Sequence, residues 1–139
     1  MLVRMMYASR AADTVNDDEL AAILRVSRRR NLACGVTGVL CLTNDIFLQV
    51  IEGGRTAVST LYNRIVTDPR HRDVELLHYA EIGERRFAGW SMGQVNLNRL
   101  NPGVVLKYSE TGVLNPYAMP GSASVALFEE LLASASIMA

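Results

Sequence analysis

Three polar side chains fall where the surrounding sequence predicts a buried environment: Tyr7, Asn31 and Gln49. A buried phenol or amide without a hydrogen-bond partner costs about 1–3 kcal/mol, so each of these groups requires one. Together, one phenol and two amides offer the donors and acceptors that suit the edge of a heteroaromatic ring. Each residue also has a plainer interpretation when taken singly, because a strand tyrosine usually packs and a buried glutamine usually bonds to backbone.

Tyr7 and Gln49 fall on predicted β-strands. Tyr7 shares a strand face with Val3 and Met5 by the two-residue period of strands. Both neighbours of Gln49, Leu48 and Val50, are apolar, so either face of its strand is expected to be buried. The strand of Tyr7 is predicted at residues 2–8 and that of Gln49 at 45–51. A further strand at 35–42 precedes the second of these and forms a hairpin with it that turns at 43–45.

Asn31 falls on a predicted helix whose apolar stripe begins with Leu20, Ile23 and Leu24. Asn16 is a good N-cap for this helix, and Glu19 follows three residues later as in a capping box. Helical spacing continues the stripe to Ser27 and Asn31, where a buried face normally carries Leu or Ala. Two explanations stay open: these side chains contact a ligand, or Asn31 caps the helix end while Ser27 bonds back to its own helix.

The remaining elements complete a ferredoxin-like pattern. A second helix is expected to follow a break at Gly53–Gly54 and to end at Asp68–Pro69. Strands are predicted at 74–82 and 87–95, with Trp90 and Met92 pointing the same way. The order corresponds to an α+β, ferredoxin-like βαββαβ fold with an added fifth strand.

The C-terminal part of the chain differs from the rest in its sequence pattern and is expected to form a separate cap. Chain breakers alternate there with two short helical patterns, the later one at residues 122–133. This amphipathic helix is predicted to pack across the sheet face that the two long helices leave open. We therefore divide the chain into a ligand-binding domain, 1–96, and a C-terminal helical cap, 97–139.

Composition excludes several classes of function. The chain has 139 residues, with 14 Lys and Arg against 14 Asp and Glu, and a net charge of zero argues against nucleic-acid binding. Cys34 and Cys41 match no metal-ligand spacing and are expected to be buried free thiols. No signal peptide and no apolar run of ~18 residues is visible, so no membrane contact and a cytoplasmic location are expected.

The charged residues predict no catalytic or metal centre. No inward-facing pair of carboxylates, nucleophile elbow or nucleotide-binding glycine pattern occurs, and His71 and His78 lack the spacing of a metal pair. The run Arg28-Arg29-Arg30 is most simply a solvated helix end. Alternatively, it joins Arg64 and Arg70 in holding a phosphate-bearing tail.

Several segments carry a family resemblance that covers roughly residues 1–96. They are Tyr7-Ala8-Ser9, Ser27-Arg28-Arg29-Arg30-Asn31, Gly35-Val36-Thr37-Gly38, Phe47-Leu48-Gln49-Val50-Ile51-Glu52-Gly53, Asp68-Pro69-Arg70-His71 and Arg86-Phe87-Ala88-Gly89-Trp90-Ser91-Met92. Together they resemble the BLUF family, sensors of blue light using flavin. The tail is similar, more weakly, to that of short stand-alone BLUF proteins.

The resemblance implies a non-covalently bound FAD with its ring between the two helices. It implies that Tyr7 donates an electron to the excited flavin and that the Gln49 amide then rotates or tautomerises, with Trp90 and Met92 carrying the change onward. The residues it places around the cofactor are Tyr7, Ser27, Arg30, Asn31, Gln49, Arg64, Ile65, Asp68 and His71. Arg30 stands where some members have His or Asn, and Ile51 replaces a frequent Leu.

The expected function is therefore that of a blue-light photoreceptor and not of an enzyme. Signalling is expected to pass to a separate partner protein of response-regulator-like type, and the chain is expected to form a homo-oligomer. A flavin redox enzyme would need a catalytic acid or base beside the ring, and a ferredoxin-like RNA-binding domain would need exposed aromatics and a basic patch. A light-independent flavin or small-ligand regulatory module stays open as the alternative.

Overall fold

The computed structural model describes all residues, Met1–Ala139. The strands are β1 Leu2–Ala11, β2 Thr37–Thr43, β3 Ile46–Gly54, β4 His71–Ile82 and β5 Gly93–Asn96. The helices are α1 Asp17–Cys34, α2 Arg55–Thr67, α3 Pro102–Leu106 and α4 Gly121–Ala133, with short 3₁₀ turns at Leu97–Arg99 and Pro116–Ala118. The five strands form one sheet in the order β4-β1-β3-β2-β5, with β5 parallel to β2 and the other pairs antiparallel. This confirms the α+β, ferredoxin-like fold class.

The ends of α1 follow from local sequence. The Asn16 side chain accepts a hydrogen bond from the Glu19 N–H at 2.8 Å, which confirms the predicted N-cap. The helix stops at Gly35, whose left-handed φ of 69° lets its N–H donate back to the carbonyl of Asn31. A left-handed residue at this position is a common helix ending, and glycine adopts it without steric cost.

The sheet has two covered faces, and side chains alternate between them. On one face, β1, β2 and β3 pack against α1 and α2, where Val3 and Ile51 belong to one buried cluster with Leu24 and Val58. On the other face, sheet residues such as Leu48 pack against α4. The α4 residues in that second core are Leu127, Phe128 and Leu131. The prediction that the C-terminal helix covers the open face of the sheet is thus confirmed.

The predicted fifth strand is wrong in extent. Only Gly93–Asn96 joins the sheet, and residues 87–92 form bends and turns. The backbone of this segment finds partners outside a strand ladder, because the Phe87 N–H donates to the buried carboxylate of Glu52 and the Trp90 carbonyl accepts from Gly38. Trp90 and Met92 consequently do not point the same way. Trp90 packs in the core under α4, whereas Met92 belongs to the core under α1 and α2.

Two smaller expectations also fail. Cys41 is a buried free thiol as expected, but Cys34, the last residue of α1, is exposed. Gly53–Gly54 does not break the chain ahead of α2, since β3 runs through both glycines and the helix starts directly at Arg55. No helix is both long enough and apolar enough to span a bilayer.

Candidate functional site

A cavity of about 470 Å³ opens where α1 and α2 cover the sheet. This volume lies within the range of pockets that hold small molecules and cofactors. Nine residues predicted to surround a cofactor line it: Tyr7, Ser27, Arg30, Asn31, Gln49, Arg64, Ile65, Asp68 and His71. Met92 lines it as well, whereas Trp90 does not.

Tyr7 and Gln49 form a hydrogen-bonded pair in this cavity. They are direct partners in the antiparallel register of β1 and β3, which places their side chains next to each other on the same face. The Tyr7 hydroxyl donates to Oε1 of Gln49. Tyr7 is 2% exposed and Gln49 is 7% exposed. Burial, together with the nearby Tyr62 hydroxyl, raises the pKa of Tyr7, so the phenol stays protonated and acts as the donor.

The amide nitrogen of Gln49 has only a weak partner. Its Nε2 donates to the thioether sulfur of Met92 at 3.2 Å. A thioether is a poor acceptor, and an amide nitrogen carries two donor hydrogens. Gln49 therefore brings unused donor capacity to the cavity, and a ligand carbonyl or ring nitrogen would satisfy it.

Asn31 ties α1 to the segment that leads into β5. Its Nδ2 donates to the carbonyl of Ser91 at 2.7 Å, and the residue is 2% exposed. The explanation that the Asn31 side chain caps its own helix is therefore wrong, because only its backbone carbonyl serves the helix end, accepting from Gly35 and Val36. Ser27 lines the cavity one turn earlier on the same face of α1.

The arginines near the cavity fall into separate groups. Arg30 and Arg64 line it without forming an ion pair in the chain. Arg70 also lines it, but its guanidinium is paired with Asp68 at 2.7 Å, and this hydrogen-bonded pairing lowers the pKa of Asp68 to about 2. Arg28 does not line this cavity: its Nε donates to the carbonyl of Met92 at 2.9 Å. Of the arginines predicted to hold a phosphate, Arg30 and Arg64 are thus free of ion pairs and could contact an anion in this cavity.

His71 closes the end of the cavity near the start of β4. Its Nδ1 lies 2.8 Å from the hydroxyl of Ser9, and its ring packs against Phe47 with 5.5 Å between centroids. Burial lowers the pKa of His71, an effect that the neighbouring Asp68 opposes. The imidazole is therefore neutral near pH 7 and adds a polar, uncharged group to the wall.

Tyr62 on α2 does not line the cavity but contacts Tyr7, and the sequence alone does not identify it as part of the site. Its ring meets the Tyr7 ring edge to face, with centroids 5.9 Å apart. The available signal was its helical spacing from Ile65, which puts both side chains on the face of α2 that covers the sheet. That spacing alone indicates core packing, because a tyrosine on an apolar stripe gives no sign of what it packs against.

The arrangement fits a flavin better than it fits a hydrolytic or metal centre. A planar ring would lie between α1 and α2, with apolar contact from Ile65 and hydrogen bonds from Asn31 and Gln49 at its polar edge. Arg30 and Arg64 would offer positive charge to a phosphate-bearing tail. No group of three His, Cys, Asp or Glu side chains is placed to hold a metal ion.

Comparison with known proteins gives a consistent result. Residues 2–93 match the model of the BLUF family, described as sensors of blue-light using FAD. The chain is 39% identical over 92 residues to the photoactivated adenylate cyclase subunit beta of Euglena longa. That match covers 66% of this chain and 11% of the cyclase subunit, so the similarity concerns about a tenth of the larger protein.

Two solved structures resemble this one along nearly its whole length. BlrB, a BLUF protein in its dark state, superposes with a TM-score of 0.80 at 33% identity, covering 96% of each chain. The photo-activated state of BlsA superposes with a TM-score of 0.82 at 30% identity, covering 95% of each chain. Both comparisons extend over α3 and α4 as well as the sheet. With the matched residues, the fold and the Tyr7–Gln49 pair in agreement, this chain belongs to the BLUF family of blue-light sensors.

Proposed function

We propose that this protein is a blue-light photoreceptor that binds FAD non-covalently and signals through hydrogen bonds between Tyr7, Gln49 and the flavin. The observation that carries the proposal is the buried Tyr7–Gln49 hydrogen bond on the wall of a cofactor-sized cavity. Membership of the BLUF family supports the same function. Residues 1–96 are the flavin-binding domain in this proposal, and residues 97–139 cap the other face of the sheet.

The cofactor is held by both helices and the sheet. Asn31 and Gln49 hydrogen-bond the polar edge of the ring, and Ile65 packs on its face. Polar side chains in the cavity wall surround the cofactor: Ser27, Asp68 and His71. Arg30 and Arg64 meet the phosphates, because a guanidinium forms strong charge-assisted bonds with phosphate oxygens. No covalent attachment is required.

The photochemistry needs an electron donor and a movable hydrogen bond. When bound, the excited flavin ring supplies a strong one-electron oxidant. Tyr7 gives one electron and its phenolic proton, and it recovers both on return to the resting state, so no substrate is consumed. The Gln49 side chain rotates or tautomerises in between, which changes the hydrogen bond that its amide makes with the ring. This chemistry describes a sensor and not an enzyme.

The signal leaves the site through Met92. Its sulfur contacts the Gln49 amide, and its carbonyl accepts from Arg28, so a change at Gln49 reaches the start of β5. Trp90, two residues earlier, carries the change to the core under α4. The receiver is a separate partner protein, of response-regulator-like type.

The proposal includes a homo-oligomer in the cytoplasm. Strand β4 is a sheet edge of 12 residues, and its Leu76 and Tyr79 are 49% and 44% exposed. A long exposed edge of this kind favours association with another chain. A monomer by light scattering, together with no light-dependent partner in pull-down experiments, would contradict both the oligomer and the partner.

The first test is the absorption spectrum of purified protein in the dark and under blue light. We expect a flavin spectrum that shifts slightly to the red and relaxes in darkness, and we expect released cofactor to be FAD by chromatography. Gln49→Leu should bind flavin and lose the shift. Asn63→Leu, which removes an exposed amide from α2, should keep it.

Each other result has a distinct meaning. A flavin that bleaches and passes electrons to an acceptor would indicate a redox enzyme. Bound flavin without any light-induced shift would indicate the light-independent regulatory module. Protein that takes up no flavin would contradict the photoreceptor altogether.

A further inference from the structure

A second cavity, of about 560 Å³, lies on the other side of α1 from the flavin cavity. Its walls are residues 17–28 of α1, strand β5 with the following 3₁₀ turn, and the segment after α4. In that last segment, Met138 pairs with Gln94 through two backbone hydrogen bonds of 2.8 and 3.0 Å. It shares no lining residue with the flavin cavity. None of the roles proposed for flavin binding uses it.

The charge of this second cavity is strongly positive. Arg25, Arg28 and Arg99 line it, and none of the three forms an ion pair within the chain. Asp17 is the one acidic residue on its wall. Nη2 of Arg28 is buried and has no hydrogen-bond partner. Buried guanidinium nitrogens are normally hydrogen-bonded, so this one would gain an acceptor if the guanidinium turned toward an anion in the cavity.

The rest of the wall is of mixed character. Apolar side chains cover part of it: Leu20, Leu24, Val95, Leu100 and Met138. Gln94, Asn96 and Ser136 add neutral hydrogen-bonding groups. An inorganic ion alone would leave the apolar part uncovered, whereas an organic anion would cover both parts.

We propose that this cavity, lined by Arg25, Arg28 and Arg99, binds a small organic oxyanion, a phosphate or a carboxylate with an apolar body. The planar guanidinium presents parallel N–H donors that match two oxygens of either group. The head of the ligand lies among the three arginines and its body lies on the leucines of α1.

The site is linked to the flavin cavity through one side chain. Arg28 donates from Nε to the carbonyl of Met92, whose sulfur contacts the Gln49 amide. An anion that draws the Arg28 guanidinium toward itself changes the position of Met92, and through it the stability of the lit state. This coupling rests on the proposed photoreceptor function, whereas binding itself does not.

Binding is tested by calorimetric titration of the dark protein with phenyl phosphate, benzoate and inorganic phosphate. We expect phenyl phosphate or benzoate to bind more tightly than inorganic phosphate, and the comparison of the first two distinguishes a phosphate from a carboxylate ligand. Arg25→Gln and Arg99→Gln should each weaken the tighter ligand about tenfold, the loss of one charge-assisted contact. Arg29→Gln, at an exposed position of the same helix that lies outside the cavity, should bind as wild type.

Arg28 is tested with two variants, because its position is partly buried. Arg28→Gln should weaken binding by more than Arg25→Gln, and Arg28→Lys should restore part of the loss. No saturable binding of any of the three probes would overturn the site, and so would an equal loss in Arg29→Gln and Arg25→Gln. Tighter binding of inorganic phosphate than of both organic probes would overturn the organic ligand.

Coupling is tested separately by following dark recovery of the FAD-loaded protein with and without the tighter probe. We expect a change in recovery rate of at least twofold that Arg28→Gln abolishes. An unchanged rate at saturating probe would overturn the coupling. Absence of any light-induced shift would count against the photoreceptor function and leave the binding result intact.

Discussion

At the scale of single residues, burial sets the protonation of two side chains that line the flavin cavity. It raises the pKa of Tyr7 and lowers the pKa of His71, because both shifts favour the neutral form in a poorly solvated place. A neutral phenol can donate to Gln49, and a neutral imidazole avoids a charge beside the ring. These two side chains are therefore polar but uncharged near pH 7, which suits hydrogen bonding to a neutral heteroaromatic ring.

The lowered pKa of His71 predicts a pH-dependent stability. The unfolded chain titrates this group near its ordinary value of 6.5, so below that pH it binds more protons than the folded chain does. The free energy of unfolding should therefore decrease as the pH falls from 7 to 5.5. His78, the only other histidine, is shifted in the same direction by its own burial.

Urea unfolding of the flavin-free protein at several pH values checks this effect. His71→Gln, which keeps a hydrogen-bonding group near Ser9, should reduce the loss of stability between pH 7 and 5.5. The double variant with His78→Gln should abolish most of the remainder. An unchanged pH slope in the double variant would show that the histidines do not cause it.

At the scale of elements, Glu52 fastens the segment ahead of β5 to the centre of the sheet. Its carboxylate is fully buried, accepts from the backbone N–H groups of Arg86 and Phe87, and pairs with Arg4 at 2.7 Å. The segment 85–92 forms no strand and joins no ladder of strand hydrogen bonds, so these hydrogen bonds hold it in place. Glu52 thereby positions Met92 indirectly, through the backbone that leads to it.

Removing this carboxylate should therefore be costly. Glu52→Leu leaves Arg4 and two backbone donors without their partner, and we expect a loss of about 3–5 kcal/mol in the free energy of unfolding. Denaturant unfolding of the flavin-free protein measures it. Glu129→Leu breaks a solvent-exposed pair with Arg86 and should cost far less. Similar losses in both variants would contradict the special role of the buried carboxylate.

Most elements could be predicted from the sequence, and the exceptions share a physical cause. The strands holding Tyr7 and Gln49 follow from alternation, and α1 follows from the Asn16 cap and its stripe. The segment 87–92 has the apolar alternation of a strand, but its backbone bonds to distant groups such as Glu52 and Gly38, which local patterns do not reveal. The opposed directions of Trp90 and Met92 are a consequence.

The candidate site could be predicted to a similar extent. Asn31 was recognisable because an amide on an apolar stripe requires a partner, although the partner itself, the Ser91 carbonyl, comes from 60 residues away. Arg28 shows the opposite case. Within a run of three arginines its sequence signal is that of a solvated helix end, and only the packing of α1 beside β5 brings its Nε to the Met92 carbonyl.

At the scale of the whole molecule, the sheet separates two cores that share their strands. Tyr7 and Gln49 line the cavity that α1 and α2 cover, while their chain neighbours Met6 and Leu48 belong to the core that contains α4. A hydrogen-bond change in the flavin cavity therefore has a short route to the far face, across one strand. The same arrangement makes the packing of α4 separable from flavin binding, because no α4 residue lines the cavity.

Phe128 tests this separation. It is fully buried on α4 and meets Phe87 edge to face, with 6.0 Å between centroids. Phe128→Ala should lower the free energy of unfolding by about 3–5 kcal/mol, since it leaves a large cavity in the second core. Val113→Ala, at a position 58% exposed, should change it by less than about 0.5 kcal/mol. Flavin affinity, titrated where the Phe128 variant remains folded, should stay within twofold of wild type, and a larger loss would show that α4 packing shapes the flavin cavity through the sheet.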